Sequence, residues 1–185
     1  MKRNGIGSHT LPNNGESDIW LTPPEIVGAL GHFDLDPCAA PDPRPWPTAT
    51  VHVVPPTDGL LIPWVGRVWL NPPYGDKLGA WLDKMGRHGC GIALTFARTE
   101  TEAWQRSVWP FAKAVLFVAG RLYFRLPDGT RAAGNAGGPS ALIAYSDGDV
   151  VELLRSGIPG AVVRVERAFQ AGAESIQTAL FSEAV

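Results

Sequence analysis

At 185 residues, the chain has room for one domain with a good core and is too short for two ordinary ones. Its 45% hydrophobic and 18% charged residues exclude a disordered polymer, and no apolar run approaches the roughly 18–20 residues needed to cross a bilayer. A formal net charge of −2 excludes bulk attraction to nucleic acid, so any such partner must meet a local basic patch.

Residues 1–17 are polar and rich in Gly and Asn, the pattern of a mobile N-terminal arm, and they lack the apolar stretch of a secretion signal. "TPPEIVGAL" predicts a helix with Thr22 as N-cap, prolines in its first turn, Glu25 three residues after the cap, and Ile26, Val27 and Leu30 as its apolar stripe. "HFDLDP" predicts a short strand broken by Pro37, and the five prolines within 37–48 predict a loop. Strands are expected at 49–54 and 66–70. A helix follows at 78–89, with Leu78, Trp81, Leu82 and Met85 at helical spacing. "CGIALTFA" (90–97) reads as a buried strand, 100–112 as a helix, and 113–126 as a long strand or one bent at Gly120. A glycine-rich loop over 128–140 precedes a strand at 141–146 and a last helix at 148–157; 162–172 supplies an edge strand. The domain is expected to occupy 18–170, with 171–185 as a tail. Cys38 and Cys90 make neither a disulfide framework nor a metal quartet, and the four histidines are scattered, so a reduced cytoplasmic setting without a metal is expected.

Strands alternating with helices in this way argue for an α/β domain built on a mostly parallel sheet with helices on both faces. Ligands in such sheets bind beyond the carboxyl ends of the strands, where both "DLDP" and "WLNPPY" fall. The second is the most informative stretch of the chain. Pro72 and Pro73 cannot continue a strand, and Asn71 is pushed toward an extended backbone by the proline that follows it. The result is a stiff corner that offers the Asn71 Oδ1, the Pro72 carbonyl and the Tyr74 ring. Two fixed acceptors fit a planar amine such as the exocyclic NH₂ of adenine or cytosine. Accepting both its hydrogens returns electron density to a nitrogen whose lone pair is delocalised into the ring. Tyr74 adds a flat face for a base, a contact worth roughly 1–3 kcal/mol in other systems. A proline turn with an Asx cap is the structural alternative. Asp58, in an Asp-Gly turn, lies at a distance from Asp36 suited to an acidic contact with a ribose or adenine.

Asn71-Pro72-Pro73-Tyr74 resembles the catalytic motif of the amino-directed methyltransferases that use S-adenosylmethionine. "DIWLTPPEIVGAL", "FDLDPCAAP", "DGLLIPW", "GRVWLNPPYG", "LTFARTETEAW" and "AGRLYF" follow one another as in the phage-type DNA N6-adenine methyltransferases, over roughly residues 18–146. The resemblance implies a Rossmann-like class I methyltransferase fold with minimal target-recognition loops. It also implies methyl transfer from S-adenosylmethionine to a flipped adenine in double-stranded DNA, in a bacterial cytoplasm, by a protein of phage or prophage origin. It casts Asn71, Pro72, Pro73 and Tyr74 as catalytic. Asp36, Pro37, Cys38 and Ala39 become the first cofactor loop, with Asp36 receiving the charged amino-acid end. Trp20, Thr22 and Pro23 become the element that closes over the methionine part, and Asp58 a further cofactor contact. Trp20 stands where the family more often has tyrosine, and the glycine-rich loop of many methyltransferases is absent, as in the phage-type family. Lys77, Arg98, Thr99, Arg121, Arg125 and Arg131 are the candidates for a DNA-binding rim. Cytosine N4, an RNA, or a protein glutamine remain alternative targets of the same corner. A non-catalytic DNA-binding module is the reading from another class.

Overall fold

The computed structural model describes residues 19–166. The 1–17 arm and everything from 167 onward, including the far part of the last expected strand and the 171–185 tail, lie outside the described residues.

Seven strands form one sheet: β1 (Leu35–Asp36), β2 (Val51–His52), β3 (Val68–Leu70), β4 (Gly91–Phe96), β5 (Ala114–Val118), β6 (Ser140–Ala144) and β7 (Gly160–Arg164). Their spatial order is β2-β1-β3-β4-β6-β5-β7. Four helices accompany them: α1 (Pro24–Ala29), α2 (Leu78–His88), α3 (Glu102–Ser107) and α4 (Asp147–Arg155). The sheet is parallel from β2 to β4 and antiparallel from β4 to β7. The expected mostly parallel sheet therefore holds for the first half alone. After β5 the chain stays at the carboxyl edge through 119–139, so it can only re-enter the sheet by running back down as β6.

Alternation along the strands sorts the core onto two faces. Trp69, Ile92, Leu94, Leu116 and Leu142 point to the side covered by α1 and α4, where Ile26, Leu30, Val150 and Leu153 meet them. Val68, Leu70, Ala93, Val115 and Ile143 point to the side covered by α2 and α3, against Trp81, Leu82, Met85 and Trp104. Helices thus lie on both faces, as expected for an α/β layered domain. The stripe that marked α2 in the sequence is its buried face, and the Gly89 N–H closes the helix on the Met85 carbonyl.

Three elements depart from their sequence-based outlines, each for a local reason. In α1 the N-cap is Pro23 rather than Thr22, because Pro24 forces its predecessor into an extended backbone and so moves the helix start one residue on. The expected Thr22–Glu25 capping box does not form, and Glu25 instead accepts a 2.9 Å bond from Arg125. The helix expected over 100–112 is only Glu102–Ser107, since Pro110 has no N–H to extend it. The strand expected over 113–126 stops at Val118, and Gly120 (φ 77°) turns the chain away from the sheet. Residues 121–136 then cross to the other loops: Leu21 and Arg125 exchange backbone hydrogen bonds at 2.9 Å, and Gly129 lies against Pro45 and Trp46.

The turn between β2 and β3 is held from outside. Lys84 of α2 donates to the carbonyls of Leu60 and Ile62 at 2.6 Å and of Gly59 at 3.3 Å. Gly59 in turn sits so close to the Pro37 carbonyl that a Cβ there would fall 1.9 Å from its oxygen.

Candidate active site

Strand order grows outward from β1 to β2 on one side and from β3 to β4 on the other, so the order reverses between β1 and β3. A crevice at the carboxyl ends of two such strands is where open α/β sheets bind ligands. Asp36 ends β1 and Asn71 follows directly on β3, so the two polar residues that stood out in the sequence face one crevice. A chain of hydrogen bonds crosses it. Thr48 donates its hydroxyl to Asp36 Oδ2 at 2.5 Å, and Asp36 Oδ1 accepts the Cys38 N–H at 3.1 Å. The Cys38 thiol donates to the Asn71 carbonyl at 3.3 Å, and Asn71 Nδ2 donates to Thr22 Oγ1 at 3.1 Å. The later helix start leaves the Thr22 hydroxyl without a capping duty, and it meets Asn71 here instead.

Asn71 Oδ1 is buried and accepts no hydrogen bond from the protein. An unmet buried acceptor costs about 1–3 kcal/mol, so its orientation away from every protein donor requires a use. The same amide is fixed by its other end on Thr22, which aims the oxygen rather than letting it turn.

Asp36 is 4% exposed. Burial pushes its carboxyl up to about 6, although the Thr48 hydroxyl, the Cys38 N–H and Arg44 each pull it back down. Burial also drives the Cys38 thiol well up, and the Asp36 charge adds to this, so Cys38 stays a neutral donor rather than a nucleophile. Because the Asp36 pKa is higher folded than the unfolded value of 3.8, the folded state holds the extra proton between them. The Asp36 contribution to stability is therefore greatest below about pH 4, falls as pH rises toward 6, and levels off above, a change on the order of 3 kcal/mol. Asp36→Asn keeps an acceptor for Cys38 and offers a donor to Thr48. The variant should be more stable than the parent at pH 8, and urea unfolding from pH 4 to 8 should show this part of the pH dependence removed. Unchanged pH dependence would mean the carboxyl is not desolvated.

The crevice narrows to a slot of about 50 Å³ lined by Trp20, Thr22, Asp36, Cys38, Ala39 and Asn71, all singled out in the sequence. Pro23 and Pro37, the neighbours of Thr22 and Asp36 in sequence, are buried. The slot's remaining wall comes from the proline-rich loop, through Arg44, Trp46 and Thr48, which the sequence reading left without a role. Trp46 Nε1 donates to the Thr22 carbonyl at 3.2 Å and ties the loop across the slot. The readable signal was an arginine and a tryptophan set among Pro43, Pro45 and Pro47, a stiff loop carrying one charge and one aromatic face. Asp58 is not part of the slot. Its Oδ1 accepts the Leu60 N–H at 2.9 Å as an Asx turn, and Oδ2 lies 3.7 Å from Lys77 Nζ.

Tyr74 faces the other way. Its ring stacks on Phe96 at 4.5 Å and 25°, with the residue 37% exposed, on the wall of a second cavity of about 600 Å³. Leu78 and Gly79 of α2, Trp104 of α3 and Arg98 also line this space, together with Thr95, whose buried hydroxyl has no hydrogen-bond partner. Asn71 and Tyr74 thus join two cavities across one corner.

The basic candidates do not form one rim. Arg98 stands at the larger cavity; Thr99 uses its carbonyl to accept the Gln105 side chain. Arg125 is engaged by Glu25, Lys77 lies beside Asp58, Arg121 donates to the Ala136 carbonyl at 3.3 Å, and Arg131 stacks over Tyr123 at 3.7 Å. Among the described residues no helix is long and apolar enough to cross a membrane. Compared with protein-family models, with curated proteins and with solved structures, the chain matches none.

Proposed function

We propose that the chain transfers a methyl group from S-adenosylmethionine to the exocyclic N6 of an adenine flipped out of double-stranded DNA. The observation that carries this reading is the buried Asn71 Oδ1, which accepts no hydrogen bond from the protein, on a residue that lines one slot with the Asp36 carboxylate. The reversal of strand order at β1 and β3 supports a Rossmann-like methyltransferase architecture around that slot.

The donor set fits the charged end of the cofactor. Asp36 would hold its ammonium, with Trp20, Thr22 and the Cys38–Ala39 turn closing around the amino-acid part; Pro23 and Pro37 stiffen these two loops. The bound cofactor supplies a methyl group on a positively charged sulfur. The protein supplies orientation. Asn71 Oδ1 and the Pro72 carbonyl accept the two amine hydrogens, strengthening as the nitrogen develops positive charge, which is stabilisation realised mainly in the transition state. Tyr74, its ring stacked on Phe96 at the wall of the larger cavity, would stack on the extruded base. In-line displacement needs alignment more than a strong base. Arg98, at the larger cavity, and Arg121 would meet phosphates, and Arg125 would do so by exchanging Glu25.

The test is nucleoside analysis of plasmid DNA after incubation with the protein and S-adenosylmethionine. N6-methyladenine is the expected product. N4-methylcytosine would keep the corner chemistry and replace the target, and an unmodified plasmid in the presence of a bound cofactor would end the DNA reading.

A further inference from the structure

We propose that Arg44 is a specificity residue of the slot: it takes the carboxylate of an α-amino acid end whose ammonium sits on Asp36, so that the site selects a zwitterion. The assignment rests on the slot receiving the cofactor's amino-acid end. Its polar lining is Thr22, Asp36, Cys38, Arg44, Thr48 and Asn71, which brings one carboxylate and one guanidinium to the same small space. A lone cation there would satisfy Asp36 and be repelled by Arg44, and a lone anion would meet the reverse. A group carrying both charges a few bonds apart satisfies each.

The arginine is held for this role. Its neighbours Pro43 and Pro45 restrict the backbone on both sides, Trp46 ties the loop to Thr22, and Thr48 ties it to Asp36. Arg44 Nε donates to the Ala40 carbonyl at 3.1 Å, and the side chain, 16% exposed, lines the slot. The guanidinium also pairs at 3.3 Å with Asp42, an exposed carboxylate that a ligand carboxylate can displace. A planar fork suits a carboxylate better than an ammonium would.

Calorimetry on the full chain with S-adenosylmethionine and with decarboxylated S-adenosylmethionine isolates the carboxylate, because the second compound keeps the amine. The parent should prefer the carboxylate-bearing compound by on the order of 10- to 100-fold. Arg44→Ala should bind the decarboxylated compound as the parent does and show less than about threefold preference, since losing a charged hydrogen bond of this kind removes the whole discrimination. Should that variant bind neither compound, Arg44→Lys decides: it keeps the charge without the fork and should retain part of the preference. Equal weakening of both compounds in Arg44→Lys, or an undiminished preference in Arg44→Ala, overturns the assignment. A parent that binds S-adenosylmethionine without preference overturns it too, while leaving the methyltransferase reading standing. A parent that binds neither compound removes both.

Discussion

Asn71→Ala should lower the rate of methyl transfer by about 10²–10³-fold while leaving cofactor affinity within a few-fold of the parent. Removing one preorganised hydrogen-bonding group that acts on developing charge has an effect of that size, and Asn71 Oδ1 has no structural bond to lose. Its Nδ2 does have one, to Thr22 Oγ1, so part of any loss in the alanine variant could come from a relaxed slot. Asn71→Asp separates the two. It keeps the acceptor, and the Thr22 hydroxyl can reverse to donate, so the aspartate variant should keep much more activity than the alanine one. Single-turnover rates with saturating cofactor, set beside calorimetric affinities, give both numbers. Full turnover in Asn71→Ala would remove the corner from the chemistry.

The largest loss of stability should come from Asp149→Ala, about 3–5 kcal/mol. Asp149 is 1% exposed and serves as both the capping-box residue of α4 and the partner of Arg67. Its Oδ1 accepts Arg67 Nε at 2.7 Å; its Oδ2 accepts the Gly91 N–H at 2.7 Å and the Ser146 hydroxyl at 2.5 Å. Arg67 continues outward to the carbonyls of Leu30 and His32, each at 2.8 Å, with its plane over Phe33. One carboxylate thus joins the starts of β3, β4 and α4 to the end of α1. Alanine leaves a guanidinium half-buried without its counter-charge, which is the costly way to break such a pair. The shift of the urea midpoint measures it, and a change under 1 kcal/mol would show that water replaces the carboxylate. Because this node lies at the amino end of the parallel strands, activity well below the melting temperature should survive.

The contrast between these two residues marks what could be read from the chain. Asn71 was legible because its meaning is local: two prolines and a strand end define the corner within four residues. The α2 stripe and the carboxyl-edge placement of Asp36 were legible for the same reason. Asp149 was not, because its role depends on Arg67 and Gly91, distant in sequence and joined to it only by the sheet. Arg44 and Trp46 were hidden likewise, since a proline-rich loop shows its stiffness in sequence but not which wall it completes. The Thr22 cap was an error of local chemistry, where the proline rule and the capping preference competed and the proline won; the overlong 100–112 helix and 113–126 strand likewise passed over Pro110 and Gly120. Lys77 and Arg125 looked like free positive charge because Asp58 and Glu25, their partners, come from other parts of the chain.

The grip of Lys84 on the 59–62 turn makes a mechanical unit of parts that have no ladder between them. One ammonium collects the carbonyls of Gly59, Leu60 and Ile62, so the turn is fastened to α2 by its side chain rather than by its own backbone. The first turn of α2 walls the larger cavity through Leu78 and Gly79, while Gly59 presses on the Pro37 carbonyl next to Asp36. A displacement of α2 at one end is therefore expected to reach the β1 loop at the other, with Lys84 as the coupling rod. The shapes of the two cavities are therefore expected to be linked.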